Sequence, residues 1–344
     1  MCKYKFFGLL ALMLSLLSAN AEDNKLNLFI WSEYIDPQIV KDFETQNNAK
    51  VTIDVYEDAE SMLAKIQGGG DALYDLVVPP DYMVSVMTHL ELLAPLRHQN
   101  MPNLTNLDGK FANPPFDPGN KYTAAYQWGT VGLYVRSGDE KLEPSWDLIF
   151  DPAKQPGPIV LIDSVRDMFT AALKYKGHSL NSVNPKELLE ARDLILAAKK
   201  RCISFEGSVA GENKVLSKQA AAAIIYSGEG ARGMAEDKGT RYVIPREGSQ
   251  IWLDSLAVLA RAPHRDLAEK FVNYILDAKT GARLSNFTRF ATPNRAAIPF
   301  IHPDELKNPA IYPKPETMNK LEFVHDLGAN TRLYDELWTQ IKAQ

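Results

Sequence analysis

The sequence predicts an α/β fold of about two domains, with parallel sheets flanked by helices on both faces. Three observations predict it. The chain has 344 residues, and at about 150 residues per domain that is roughly two domains. Short apolar stretches of strand character alternate with helical patterns, the order that builds parallel sheets. Finally, no Gly/Ser-rich linker and no internal repeat divides the chain, so the domains are expected to be joined by strands rather than a tether.

The elements follow in order. Leu26–Trp31 is apolar and strand-like, and Ile39–Thr45 follows as a helix. Val51–Tyr56 alternates Val, Ile and Val with polar residues, and Glu60–Ile66 is helical. Leu76-Val77-Val78 is a short buried strand stopped by Pro79-Pro80. Further short strands are expected at Val131–Val135, Ile159–Ile162, Ala221–Tyr226 and Leu256–Leu259. Helices are expected at Pro185–Lys200, Arg265–Ile275 and Thr331–Lys342. Asn184-Pro185 and Pro263-His264 read as helix starts.

Composition narrows the function. Apolar residues make up 45% and charged residues 24%, which excludes a disordered or collagen-like chain. Met1–Ala21 reads as a cleaved secretory signal: Lys3 and Lys5, an apolar run from Phe6 to Leu17, then Ala19-Asn20-Ala21. That run is too short to span a bilayer, which needs about 20 residues. The expected location is the periplasm. The formal charge is −5, and removing the two leader lysines makes it −7, so nucleic acid is not an expected partner. Cys202 is then the lone cysteine, and the fold must be held by a core rather than a disulfide.

Enzyme motifs mostly fail. There is no G-x-S-x-G elbow and no H-E-x-x-H. His89, His98, His178, His264, His302 and His325 are scattered without metal-ligand spacing, so neither metal nor cofactor is expected. Gly228-Glu229-Gly230-Ala231-Arg232-Gly233 matches G-x-G-x-x-G, but the following segment is short and Glu229 would put a carboxylate in a pyrophosphate loop. The expected role is a tight strand-to-helix turn.

The more informative pattern is aromatics beside acids at strand ends. Trp31-Ser32-Glu33-Tyr34 closes the first strand, and Tyr82 follows Pro79-Pro80. Ser164 to Asp167 follows Ile159–Ile162, Tyr226 and Glu229 end another strand, and Trp252 and Asp254 share one strand face. Open α/β sheets bind ligands at the carboxyl ends of their strands. Aromatic faces attract ammonium groups, and a buried ammonium needs a carboxylate to replace its hydration. The pattern suits an organic cation with an apolar body.

These residues carry a resemblance. Leu28–Ile35, Tyr74–Pro79, Asn120–Trp128, Ile251–Ala257 and Ala291-Thr292-Pro293-Asn294 resemble the periplasmic spermidine/putrescine-binding proteins of bacterial ABC transporters, over nearly the whole mature chain. The resemblance implies a two-lobed, type II-like clamp with a hinge of crossing strands. Lobe 1 would be 22–130 plus about 257–300, and lobe 2 would be 131–256 plus about 301–344. It implies a monomeric, non-enzymatic binding protein that captures putrescine or spermidine and delivers it to a membrane permease.

Carried over residue by residue, Trp31, Tyr34, Tyr82 and Trp252 match pocket aromatics, and Glu33, Asp167 and Asp254 match pocket carboxylates. Ser32 lies between two of these. Tyr226 stands where relatives usually have Trp, and Phe290 where they often have Tyr. Pro80 replaces a pocket Ser, Ser164 an acid of spermidine-preferring relatives, and Val324 a Gln. Glu229 falls where putrescine-preferring relatives place an Asp. The departures tilt the expected ligand toward a diamine such as putrescine, with spermidine next. Two other outputs are compatible with a clamp. One is a polyamine sensor that docks on a membrane receptor. The other is an Fe(III)- or anion-binding clamp, which is disfavoured by the missing Tyr-Tyr pair and the acid-lined pocket.

Overall fold

The computed structural model describes residues 24–109, 111–136 and 143–343. The expected leader lies outside them. Ten strands form one continuous path with two side branches: β1 (Lys25–Trp31), β2 (Lys50–Tyr56), β3 (Leu76–Val77), β4 (Thr123–Arg136), β5 (Ile159–Ile162), β6 (Cys202–Glu206), β7 (Ala222–Tyr226), β8 (Thr240–Val243), β9 (Ser249–Val258) and β10 (Leu321–Phe323). The spatial order is β2-β1-β3-β9-β4-β7-β5-β6, with β8 added to β4 and β10 to β9.

Two lobes share two long strands. In the first lobe β1 pairs in parallel with β2 and β3, and β3 meets the end of β9 antiparallel. In the second, β5 pairs in parallel with β6 and β7. β4 belongs to both: Thr123 to Thr130 pair with β9, and Val131 onward pairs with β7. The apolar runs predict short strands at Val131–Val135 and Leu256–Leu259, with Trp252 and Asp254 on one strand face, whereas β4 has 14 residues and β9 is a single strand of 10. Polar residues and glycines hid the rest. Thr123, Gln127, Thr130, Gln250, Asp254 and Ser255 interrupt the apolar pattern, yet all are buried. Gly129 is required by packing, since a Cβ there would lie 2.5 Å from the Trp252 ring.

Local chemistry sets the helices. Asp36 caps Pro37–Asn47, accepting from the Gln38 amide at 2.8 Å, and Asn48 ends it in the left-handed conformation at φ 48°. Asn184 caps Pro185–Lys199 in the same way. His264 does not cap Arg265–Ile275 with its side chain; its amide instead donates to the buried Asp75 carboxylate at 2.6 Å. One apolar cluster runs through both lobes, including Phe43 on Phe271 and Phe169 on Tyr334, and a smaller one lies around Phe29 and Tyr74. No helix among the described residues is long and apolar enough to cross a membrane.

The glycine motif is a packing device. Ser227–Glu236 is a helix that starts directly after β7. A Cβ at Gly228 would press into the Phe290 ring, one at Gly230 into Tyr242 and one at Gly233 into Tyr134. The glycines let three aromatic rings lie on the helix backbone. The expected turn is thus the first two turns of a helix.

Candidate functional site

The ends of β1, β5 and β7 and the middle of β9 converge on a solvent-open cleft between the lobes. Trp31, Ser32, Tyr34, Tyr82, Ser164, Asp167, Tyr226, Glu229, Trp252, Asp254 and Phe290 all line it. Glu33 is the exception. Its φ is 52° and its side chain is 60% exposed, reaching Arg232 instead of the cleft interior. Val324 is buried outside the cleft lining, and Pro80 is at its wall.

The aromatic walls are held from behind. Trp31 Nε1 donates to the Val78 carbonyl at 3.0 Å, and its ring lies 4.6 Å from Tyr56. Tyr34 packs edge-on against Tyr126 and Phe290, at 5.3 and 5.4 Å between ring centres. Trp252 meets Tyr226 at 5.8 Å and Phe290 at 5.1 Å, both edge to face. The rings are therefore fixed before any ligand arrives.

The acids are placed by helix starts and strand register. Ser164 caps Val165–Tyr175, accepting from the Asp167 amide at 3.4 Å. The Tyr226 hydroxyl donates to Asp167 at 2.7 Å. A bulge between Ala125 and Gln127 sets Gln127 opposite Asp254 on β9. Burial pushes the Asp254 carboxyl well above the usual carboxylate range; the Tyr34 hydroxyl pulls it down, and the charges of Asp81 and Asp167 push it further up. Burial also raises Asp167 against the hydrogen bonds of Tyr226 and Ser164 and the charge of Arg166. Glu229 is raised by burial, opposed by Arg232. Asp81, buried behind the cleft with Oδ2 unpartnered, is pushed up to about 7 by burial.

Glu57, Glu60, Arg166 and Gln250 are among the lining residues that the sequence pattern does not single out. Glu60 accepts from the Tyr82 hydroxyl at 3.1 Å. Arg166 lies over the Tyr334 ring at 5.0 Å and donates to the His325 carbonyl at 3.1 Å. A signal existed for the first two. Ligands meet strand ends, and Glu57 and Glu60 directly follow β2, which ends at Tyr56. Among the described residues, no group of three His, Cys, Asp or Glu is arranged to hold a metal ion.

Two lobes joined by shared strands, with buried acids and fixed aromatic rings in the cleft between them, define a solute-binding clamp. The chain belongs to the bacterial extracellular solute-binding protein family, whose model matches residues 38–314. It is 31% identical over 338 residues to the spermidine/putrescine-binding periplasmic protein of Escherichia coli K12, covering 97% of this chain and 96% of that one. It is 33% identical to a putrescine/cadaverine-binding protein of Pseudomonas aeruginosa, covering 92% and 93%. A solved structure described as a putative spermidine/putrescine ABC transporter from Listeria monocytogenes superimposes with a TM-score of 0.87 at 32% identity, covering 93% of this chain and 99% of that one.

Proposed function

We propose that this protein is the periplasmic solute-binding component of a polyamine ABC transporter. It captures putrescine, spermidine or a similar organic cation in the cleft and presents it to the membrane permease. It acts by binding, not by catalysis. The observation that carries this reading is Asp254. It is buried among aromatic rings, and the charged groups acting on it are two further acids, Asp81 and Asp167. A buried acid so placed is costly alone, and a cationic ligand removes the cost. The names of the relatives above support the class of ligand and the transport role.

In this reading Asp254, Asp167 and Glu229 receive ammonium groups, while Trp31, Tyr34, Tyr82, Tyr226, Trp252 and Phe290 cover the methylenes. Ser32 lies at the wall, and Ser164 caps the helix that carries Asp167. The lobes are those whose strands meet at β4 and β9, and ligand contacts from both favour the closed form. The test is calorimetric titration with putrescine, cadaverine, spermidine and spermine, beside a neutral diol of matched length. Tight binding of at least one amine and none of the diol is expected. No heat from any amine would overturn the proposal.

A further inference from the structure

Arg232 does not line the cleft, yet it touches a cleft acid and both lobes. Arg232 lies on the Ser227–Glu236 helix of the second lobe. Its Nη2 is 3.1 Å from Glu229 Oε1 and 3.8 Å from Glu212 on the same lobe. The same nitrogen is 3.5 Å from Glu33, in the turn after β1 of the first lobe. Its Nη1 donates to the Thr288 carbonyl at 3.0 Å, at the end of the first-lobe helix Ala278–Thr288. Helix carboxyl ends favour cations. One planar guanidinium thus holds a cleft acid and two groups of the opposite lobe at once, which its forked donors permit and an ammonium does not.

Neighbouring contacts tie the same seam. Arg289 Nη1 donates back to the Ala231 carbonyl at 3.4 Å and pairs with Glu305 at 3.1 Å. Gly228 lets Phe290 sit against the helix backbone. Glu229 is divided: Oε1 holds Arg232, while Oε2 is buried with no partner. A cation drawn to Glu229 would fix the carboxylate that in turn fixes Arg232.

We propose that Arg232 is a positioning residue that latches the lobes together through Glu33 and Thr288 while orienting Glu229, and so sets how fast a bound cation escapes. The ligand part rests on the polyamine reading above; the latch itself does not. Affinity differences within one site fall mainly on the dissociation rate. Stopped-flow binding of putrescine should show dissociation about tenfold faster in Arg232→Met, with association changed by less than about twofold. Arg232→Lys keeps a charge beside Glu229 but not the fork, and should still dissociate faster. Glu33→Gln should matter in the wild type and add nothing in the Arg232→Met background. An unchanged dissociation rate in both Arg232 variants, or a full additional effect of Glu33→Gln, would overturn the latch. A second arm needs no ligand: spin labels on the two lobes should report a longer mean separation in Arg232→Lys than in wild type. Equal separations would overturn the latch, whereas failure of the wild type to bind any amine would count only against the polyamine reading.

Discussion

Two buried carboxylates, Glu269 and Asp254, behave oppositely in this molecule. In the first lobe, the Glu269 side chain is 0% exposed. Burial pushes its carboxyl up, but hydrogen bonds from Arg97, Asn100 and Arg265 outweigh that and hold it below the usual range. In the cleft, Asp254 is about as buried, at 6%, and burial pushes its carboxyl far up, with the charges of Asp81 and Asp167 adding to the rise and only the Tyr34 hydroxyl opposing it. The fold surrounds Glu269 with cations and amides but leaves Asp254 facing further acids beside the aromatic walls of the cleft. The contrast separates charge used for stability from charge held for a ligand.

The largest expected effect breaks that contrast directly. Asp254→Asn should weaken polyamine binding by about 2–5 kcal/mol, because it removes the partner of a desolvated ammonium. It should leave the melting temperature of the ligand-free protein unchanged or raised. Glu269→Gln should do the reverse, lowering stability by about 1–3 kcal/mol with affinity retained. Calorimetric titration and thermal melting of both variants check the crossing. Equal loss of affinity in the two would dissolve the distinction.

The second test uses pH. A carboxyl raised in the folded state stabilises fully below its unfolded value and loses that contribution as pH rises through its folded value. Asp81 rises from 3.8 to about 7, so across that window its ionisation should cost up to roughly 4 kcal/mol of ligand-free stability. Asp81→Asn should therefore gain stability over wild type between pH 4 and pH 7, and keep the gain above. Polyamine should shrink the wild-type deficit, since a cation in the cleft favours ionised acids. Parallel melting curves across this range would show that Asp81 does not titrate there.

The same contrast explains what the sequence could reveal. Acids at strand ends beside Trp and Tyr were legible, because β–α order fixes where strand ends gather. Crossing strands were implied by the family resemblance, but their length was not legible in the pattern, because β4 and β9 carry Gln127, Asp254 and Ser255 in the middle of buried backbone, and apolar runs stop at them. Arg232 and Glu33 were not legible as a pair either. They are far apart in the chain, and the helix that carries Arg232 approaches the Phe290 ring through Gly228. A motif that resembled a phosphate loop was therefore a statement about packing distance.

Packing distance offers the next test. Gly228→Ala places a Cβ 2.6 Å from the Phe290 ring, and that ring is already held by Trp252 and Tyr34. Overpacking of this kind costs about 1–3 kcal/mol. Because the clash lies between the lobes, it should fall on the closed form. Small-angle scattering of Gly228→Ala at saturating putrescine should show a less compact particle than wild type, with the melting temperature of the ligand-free protein little changed. A lower melting temperature with normal compaction would place the cost inside one lobe.

The smallest effect concerns ligand length. A diamine needs acids at two positions, and a triamine needs a third. Ser164, which replaces an acid in the family resemblance, is occupied as a helix cap on the Asp167 amide. Glu60 is one of the carboxylates after β2 on the opposite lobe, beside Glu57 and Asp58, and it is held by the Tyr82 hydroxyl at 3.1 Å. It is exposed, so water screens it, and an ammonium there should gain no more than about 1 kcal/mol. Glu60→Gln should then weaken spermidine by roughly two- to fivefold, in keeping with that limit, and leave putrescine unchanged in a competition assay at low salt. High salt should erase the difference, since exposed pairs are screened within about 10 Å at 0.1 M. Equal weakening of both amines would mean that Glu60 acts only by holding Tyr82, and the third amine must then find its acceptor elsewhere in the cleft.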